Sequence, residues 1–291
     1  MEDKESITIR KAVINQAINY IFEHIDEDIM VEDVAKYCSY SKYHLMRMFK
    51  EGMDEALYQF IKRVRLERSA WRLKVEKERS ITEIGETYGY SSSNFATAFK
   101  KHLDISPADY RRSSEQMVED SSFSHGMTLD DLDDAGSKIT VEYLAPFTVL
   151  YERKKGNYHN LPDEWCDFIE KYKYFSTEDT LYIECTIDDP SITDENCCMY
   201  ELCQTVMPDD QKLKEHPEVL LHDFEGGKYA VYHFKGIPQL LFMVYQEIFC
   251  RWLSRTGNEL DERPIIDIYR KVEESGYMEI DICFPLKTKQ S

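Results

Sequence analysis

The chain has 291 residues, of which 42% are hydrophobic and 13% aromatic, so it is long enough for two globular cores and is not wholly disordered. Its formal net charge of −19 at first opposes nucleic-acid binding, because DNA repels a polyanion. The start, MEDKESITIR, is charged, and no apolar run approaches the roughly 20 residues of a membrane span. The sequence therefore predicts a soluble, cytoplasmic protein without a membrane partner.

The charge is unevenly distributed along the chain. Residues 1–112 hold 19 Lys and Arg against 19 Asp and Glu, and residues 42–112 hold 15 against 10. All of the net negative charge therefore lies beyond residue 112. A local basic face is what contact with phosphates requires, so the acidic total does not exclude DNA as a partner.

The first part of the chain has helical periodicity almost throughout. A first helix contains Val13, Ala17 and Tyr20, and a longer helix covers about 54–74. Ser80 and Glu83 have the spacing of a capping box, which starts a new helix. This pattern predicts an all-α N-terminal domain.

Two pairs of short helices stand out within this domain. The first is Val31–Cys38 followed by Ser41–Lys50, and the second is Ile81–Tyr88 followed by Ser92–His102. Gly89 is predicted to adopt the left-handed conformation in the second turn. Each second helix begins with hydroxylated residues and contains a Phe-Lys pair, which is typical of a helix that packs inward and contacts DNA outward.

These residues resemble the AraC family of transcription activators over about 7–112. The strongest matches are YSKYHLMRMFK (40–50), GYS (89–91) with FKK (99–101), and ISPADYR (105–111). The first run is most similar to the family's stress and drug-resistance branch. The resemblance implies seven helices, with a long central helix that holds two reading helices about one DNA turn apart.

Carried over position by position, the resemblance implies that Tyr43, Met46 and Arg47 read bases. The second reading helix departs from the family pattern: it is expected to be one residue short near its start, Thr97 replaces a frequent arginine, and Asp104 replaces a usual glycine. The second unit is therefore expected to hold phosphates more than to read bases. The predicted DNA-contacting residues are Ser41, Lys42, Tyr43, His44, Met46, Arg47, Lys50, Ser92, Ser93, Asn94, Thr97, Lys100 and Arg112.

Residues 113–136 contain seven acids and no Lys or Arg. Such a composition cannot bury a core and predicts a solvated acidic linker. Beyond it, strands at 149–151 and 229–232 are each followed by a glycine, Gly156 or Gly236, and then by a helix, 163–173 or 238–255. We interpret this repeat as an internal duplication whose junction forms a ligand cleft.

Residues 137–287 resemble the GyrI-like effector-binding domain. The matches are loose motifs in the family order: AP (145–146), DDP (188–190), GGKYAV (226–231), WL (252–253) and Pro264 before Asp267 and Tyr269. The resemblance implies a cleft for small cationic or aromatic molecules. An aromatic wall beside a carboxylate attracts an organic cation. The predicted effector-binding residues are Tyr151, Trp165, Glu201, Tyr232, Trp252, Asp267 and Tyr269.

The predicted fold class is thus multidomain: an all-α tandem helix-turn-helix domain (1–112), the linker (113–136), and an α+β domain (137–291) of two related β-hairpin/helix halves. The predicted function is a DNA-binding regulator, which the family resemblance implies is an activator, with double-stranded DNA, a small effector and RNA polymerase as partners. We expect no cofactor, no metal site and no catalytic residue. The eight cysteines are expected to be free thiols, since Cys197, Cys198 and Cys203 do not have zinc spacing.

Three alternative functions remain open at the level of sequence. A GyrI-like domain could hydrolyse reactive small molecules, with Asp267 and Tyr269 as the acid and the tyrosine. A cysteine alkyl acceptor is disfavoured, because no cysteine has a histidine beside it. The chain could also be a scavenging protein whose helical domain has lost specific DNA binding.

Overall fold

A computed structural model of the chain describes residues 4–113 and 139–288, apart from 242–243, 246–247, 249–251, 262 and 274. It forms two compact units, divided between Ser114 and Glu115. All but the first residue of the predicted linker lies outside the described residues. No helix in the described parts of the chain is long and apolar enough to cross a membrane.

The N-terminal unit is helical in its described residues. Its helices are α1 (Lys4–Glu23), α2 (Val31–Tyr37), α3 (Lys42–Met53), α4 (Leu57–Val75), α5 (Ile81–Thr87), α6 (Ser92–Leu103) and the helical residues 107–113, here α7. The seven predicted helices are confirmed. The predicted capping box is also confirmed: the Ser80 hydroxyl accepts from the Glu83 backbone N–H (3.1 Å), and the Glu83 carboxylate accepts from the Ser80 N–H (2.9 Å).

The two helix pairs, α2–α3 and α5–α6, have the same length and register. Each position of the first pair corresponds to the position 50 residues later, from the start of α2 at Val31 to the start of α5 at Ile81. Both reading helices, α3 and α6, have 12 residues and follow a serine N-cap. Within this chain α6 is thus as long as α3, and the expected shortening relative to the family pattern stays a prediction.

The long helix α4 is tied to both helix pairs by buried charges. Arg63 donates to Glu55, which lies between α3 and α4 (3.1 Å), and to Glu67 (2.8 Å). A ring nitrogen of His102 on α6 lies 3.2 Å from the second oxygen of Glu67. Because buried charges are costly unless they are paired, this network favours one arrangement of the two pairs around α4.

The C-terminal unit is built on one antiparallel sheet. Its strands are β1 (Ile139–Leu144), β2 (Phe147–Lys155), β3 (Tyr182–Thr186), β4 (Met199–Val206), β5 (Leu220–Phe224), β6 (Gly227–Gly236), β7 (Ile265–Val272) and β8 (Met278–Pro285). Its described α-helices are α8 (Leu161–Tyr172), α9 (Gln211–Glu215) and α10 (Leu253–Thr256), and a 3-10 turn covers Pro238–Leu240.

The strand order is β1-β6-β8-β7-β3-β4-β2-β5. The connections β2-α8-β3-β4 and β6-helix-β7-β8 thus occupy matching places, and they meet where β3 pairs with β7. One face carries α8, which packs Phe168 and Tyr172 against Leu150 and Leu202. The opposite face buries a second apolar cluster that includes three of the seven described cysteines, all seven of which are free thiols.

Candidate functional sites

The first reading helix, α3, divides its side chains between the core and solvent. Leu45 and Phe49 are fully buried, whereas Tyr43 is 83% exposed and is accompanied at the surface by His44, Arg47 and Lys50. Ser41 caps the helix by accepting from the His44 backbone N–H (3.4 Å). Met46 is half-buried. The helix therefore presents one aromatic and several basic or polar groups on one surface, as a major-groove helix requires.

Lys42 is held within its own helix pair. Its Nζ lies 2.6 Å from Glu32 on α2. At the corresponding positions of the second pair, the hydroxyl groups of Thr82 and Ser92 are 3.4 Å apart. The junction between the two helices is thus bridged in both units, by an ion pair in the first and by neutral groups in the second.

The second reading helix, α6, has the same burial pattern but different surface chemistry. Phe95 and Phe99 are buried at the positions of Leu45 and Phe49. The predicted surface residues are all exposed: Ser92, Ser93, Asn94, Thr97 and Lys100. Thr97 takes the place of Arg47, and its hydroxyl donates to the Ser93 carbonyl (3.0 Å). The surface of α6 therefore carries hydroxyl and amide groups at the positions where α3 carries an aromatic ring and an arginine, and two exposed lysines, Lys100 and Lys101, in its last turn.

Arg112 lies apart from the two reading helices, on α7. It is exposed and forms an ion pair with Asp109 on the same helix. This ion pair offsets its charge.

The C-terminal unit carries a pair of buried acids where its two sheet halves meet. Glu184 on β3 is directly opposite Asp267 on β7, and both are about 4% exposed. The Tyr269 hydroxyl donates to Glu184 (2.7 Å), and the Tyr245 hydroxyl contacts both oxygens of Asp267 (2.7 Å each). These two carboxyl groups, each with one tyrosine, are called the acid pair below.

Aromatic rings line the same face beside the acid pair. Trp165 on α8 stands edge-on to Tyr269, with ring centroids 5.2 Å apart, and to Tyr182 at 6.2 Å. Tyr182 and Tyr269 are directly opposite each other on β3 and β7. The Trp165 Nε1 is buried without a hydrogen-bond partner among the described residues. The face thus combines apolar ring surface with acidic groups.

Burial controls the protonation of the acid pair. It raises the pKa of Glu184 to about 7, against the smaller opposing effect of the Tyr269 hydrogen bond. Burial and the neighbouring Glu184 raise the pKa of Asp267 to about 8, although the Tyr245 hydrogen bond favours the charged form. Burial also raises the pKa values of Tyr245 and Tyr269 well above the ordinary value. Near neutral pH the acid pair therefore holds fewer than two negative charges.

Two of the predicted effector residues lie on the other face of the sheet. Tyr151 belongs to the apolar cluster opposite α8, and Glu201 is directly opposite Cys185 of that cluster. Glu201 is neutralised by a buried ion pair with Arg153. Since neighbouring residues of a strand point to opposite faces, neither residue can share a cleft with Asp267. The prediction that one site contains all seven residues is therefore wrong.

Of the other predicted effector residues, Trp165, Tyr232, Asp267 and Tyr269 lie on the acid-pair face. Tyr232 on β6 is opposite Ile282, which in turn is opposite Asp267, so all three side chains share one face. Trp252 is half-buried just before α10. The sequence reasoning missed Glu184, Tyr245 and Tyr182. The alternation of Leu181, Ile183 and Cys185 with Tyr182 and Glu184 was a signal that this strand has one polar, aromatic face.

Comparison with known proteins agrees with both units. Residues 34–113 match the family described as a helix-turn-helix domain, and residues 137–287 match the GyrI-like small molecule binding domain. The chain is 37% identical over 100 residues to the regulatory protein SoxS of Salmonella typhimurium, which covers 34% of this chain and 92% of SoxS. It is 38% identical over 104 residues to the transcriptional regulator Rob of the same organism.

The match to Rob covers 35% of this chain and 36% of Rob, so the alignment spans about a third of that relative. Among solved structures, the EcmrR C-terminal domain is similar over 52% of this chain and 97% of that domain, at 13% identity and a TM-score of 0.43. The family matches cover most of both described units. The chain therefore belongs to the AraC family of helix-turn-helix transcriptional regulators and carries a GyrI-like small-molecule-binding domain in its C-terminal half.

Proposed function

We propose that the protein is a sequence-specific transcriptional activator whose C-terminal domain binds a small, cationic, aromatic effector. The DNA-binding part rests on the matched register of α3 and α6, which gives one chain two reading helices. The effector part rests on the acid pair beside Trp165, Tyr182 and Tyr269. The bound effector changes how the N-terminal domain engages DNA or RNA polymerase.

Within this proposal the two reading helices contact different parts of the DNA. Tyr43, Met46 and Arg47 on α3 read bases, because an exposed arginine can form two hydrogen bonds with guanine in the major groove. The small hydroxyl groups of α6, with Lys100 at the position of Lys50, hold phosphates. Arg112 adds a phosphate contact when DNA competes with Asp109.

Binding of Arg47 and Thr97 variants to DNA tests this division. We expect Arg47→Ala to cost about 1–3 kcal/mol on the preferred site and to relax the preference at one base position. Thr97→Ala, at the matching position of α6, is the control and should cause a smaller loss that is similar on all sequences. The measurement is affinity for a selected site and its single-base variants at fixed salt. An equal loss on every sequence for Arg47→Ala would show that Arg47 contacts only phosphate.

The effector part of the proposal is supported by the charge of the acid pair. A cation that stacks against the rings would form an ion pair with a carboxylate of the acid pair. That ion pair would neutralise a buried negative charge, which otherwise needs a proton. Tyr232 and Trp252 complete the aromatic wall as the two related halves close around the ligand. Tyr151 and Glu201 instead stabilise the opposite side of the sheet.

Calorimetry with an aromatic cation tests the effector site. The double variant Glu184→Gln/Asp267→Asn should lose at least tenfold in affinity for tetraphenylphosphonium at pH 8, about 1.4 kcal/mol or more. Glu279→Gln on β8, where the acid pairs with Lys235 at the surface, is the matched control and should bind as the wild type does. Unchanged affinity in the double variant would exclude a cation site at the acid pair.

A second candidate function is hydrolysis of reactive small molecules in the same cleft. The observation that favours it is the hydrogen bond between each acid and a tyrosine, because a carboxyl group with a pKa near 7 or 8 can act as a general acid. Turnover of an activated ester that is lost in Asp267→Asn but retained in Glu279→Gln would support it. A scavenging protein without DNA function is separated from the transcriptional activator by the DNA-binding measurement.

A further inference from the structure

Three buried acids lie on neighbouring strands of the sheet, but only one has a basic partner. Glu201 on β4 is paired with Arg153 on β2. No basic side chain in the described parts of the chain pairs with Glu184 or Asp267, which are equally buried. A buried charge without a counter-ion is strongly unfavourable, so this site needs either protons or an added cation.

The surroundings of the acid pair contribute no positive charge. The polar groups that face it are Tyr182 and Tyr269 on the two strands, Trp165 on α8 and Tyr245 on the stretch before α10. Tyr158, in the turn that precedes α8, also experiences the charge of Glu184, together with that of Asp188. Tyr200 on β4 also experiences the charge of Glu184, and the one basic group near that tyrosine, Lys154, is paired with Glu152 and Glu164. No basic side chain among the described residues therefore forms an ion pair with either acid of the acid pair.

The cross-strand register keeps the two carboxyl groups close. Residues directly opposite in an antiparallel pair have Cβ atoms about 4.5–5.5 Å apart, so two full charges would repel strongly in this dry environment. The Tyr269 and Tyr245 hydroxyls give each carboxyl one hydrogen bond, which is too little to replace hydration. The first proton to leave is therefore lost more easily than the second.

We propose that the effector enters this site by exchange for a proton, so that one singly charged cation displaces one proton from the acid pair. The cation forms its ion pair with the carboxylate that it leaves behind, and the proton passes to water. The other carboxyl keeps its proton and donates it in a hydrogen bond. This inference rests on the proposed function of the site and adds the charge class of the ligand: monocations are preferred over dications, which would require both protons to leave.

The pKa values of about 7 for Glu184 and about 8 for Asp267 set the pH range of the exchange. Below pH 7 both carboxyls are protonated and one proton is released for each cation bound. Between pH 7 and pH 8 one carboxyl has already lost its proton, so little proton release remains. Above pH 8 the free acid pair loses its second proton, and binding then takes one proton up from water. The association constant should therefore rise about tenfold per pH unit up to pH 7, level off between pH 7 and pH 8, and fall above pH 8.

Calorimetry of the full-length protein with tetraphenylphosphonium, in buffers of different ionisation heat, measures the proton release directly. At pH 6 we expect about one proton released per cation, at pH 7.5 close to none, and at pH 8.5 a net uptake of protons. A dication of similar aromatic size should bind more weakly at pH 6 and gain more affinity with rising pH. Glu279→Gln should reproduce the wild-type proton count. In Glu184→Gln, whose fold is checked by circular dichroism, only one acid remains to hold a proton, so the net proton uptake at pH 8.5 should disappear.

The possible outcomes separate the two proposals. Binding with pH-independent affinity and no proton release would overturn the exchange and leave cation binding in place. Proton release that is the same in the wild type and in Glu184→Gln at every pH would assign it to other groups and would also overturn the exchange. An absence of binding by any cation from pH 6 to pH 8.5 would overturn both proposals.

Discussion

Glu184, Asp267 and Glu201 show how buried acidic residues acquire different chemistry from their neighbours. Glu201 has Arg153 beside it and is a structural ion pair, whereas the acid pair has only tyrosine hydroxyls. The folded state therefore retains protons that the unfolded chain has lost. This difference makes the stability of the C-terminal unit dependent on pH.

The sign of the pH dependence follows from the raised pKa values, about 7 and about 8 against ordinary values of 4.5 and 3.8. Between about pH 4 and pH 8 the folded state binds more protons than the unfolded chain. The stability that the acid pair contributes is therefore fully present below about pH 4 and is lost as the pH rises to about 8. The unfolding free energy should fall by about 1.4 kcal/mol per pH unit for each proton that only the folded state retains.

Chemical denaturation of wild type and Asp267→Asn between pH 5 and pH 8 measures this effect. The variant should have a shallower dependence and should be the more stable protein at pH 8, because it removes a buried charge. Glu279→Gln is again the surface control and should follow the wild type. Parallel curves for Asp267→Asn and the wild type would contradict the raised pKa of Asp267.

At the scale of elements, the two helix pairs fill the same position between their helices with different combinations of residues. A Cβ atom at Gly85 would lie 2.7 Å from the Phe95 ring. The corresponding positions of the first unit hold Ala35 and Leu45, where a larger residue on α2 meets a smaller one on α3. The repeat therefore preserves the summed volume at the junction while both side chains change.

The turns between the paired helices differ in strain. Gly89 has φ of +77° and Ser39, its counterpart, has φ of +60°. A residue with a Cβ atom pays about 1–2 kcal/mol in this left-handed region, and glycine does not. The second unit thus has an unstrained turn and the first has a strained one.

Substitutions at the two turns test this difference. Ser39→Gly should stabilise the N-terminal unit by about 0.5–1 kcal/mol, since the gain is reduced by the greater entropy of unfolded glycine. Gly89→Ala should destabilise it by about 1–2 kcal/mol through conformation, because a Cβ atom there would have only Arg65 within 4 Å, at 3.8 Å. The measurement is thermal unfolding of each single variant beside the wild type. Destabilisation by Ser39→Gly would show that the Ser39 side chain makes a stabilising contact.

At the scale of the whole molecule, the distribution of charge matters more than its total. The net −19 lies beyond residue 112, and part of it lies in the sequence 113–136. We propose that this acidic segment shields the basic face of the DNA-binding unit when DNA is absent, because nearby charges of opposite sign attract within a Debye length of about 10 Å at 0.1 M salt.

Deletion of residues 115–134 tests the shielding. We expect non-specific DNA affinity to rise about fivefold, or about 1 kcal/mol, at low salt and to change little at high salt. A control of constant length, with the acids of this segment replaced by Asn and Gln, should have the same effect. Unchanged affinity at low salt in both variants would exclude shielding.

The sequence by itself determined the helical unit nearly completely. Its helices are set by local rules, namely periodic apolar residues, the Ser80 and Glu83 capping box and the left-handed turn at Gly89, and local signals can be read from neighbouring residues. The exposed positions of α3 follow from the same periodicity. The expected shortening of α6 came from comparison with a family pattern and stays a prediction, whereas within this chain α6 and α3 have equal length.

Only the tertiary structure decided the composition of the effector site. Strand pairing joins residues that are distant in sequence, and it placed Glu184 opposite Asp267, which lies 83 positions further along the chain. The alternation of strand side chains then separated Tyr151 and Glu201 from this face, because one step along a strand reverses its direction. Chemistry of residue types indicated an acidic, aromatic site, and the non-local register determined which acids share it.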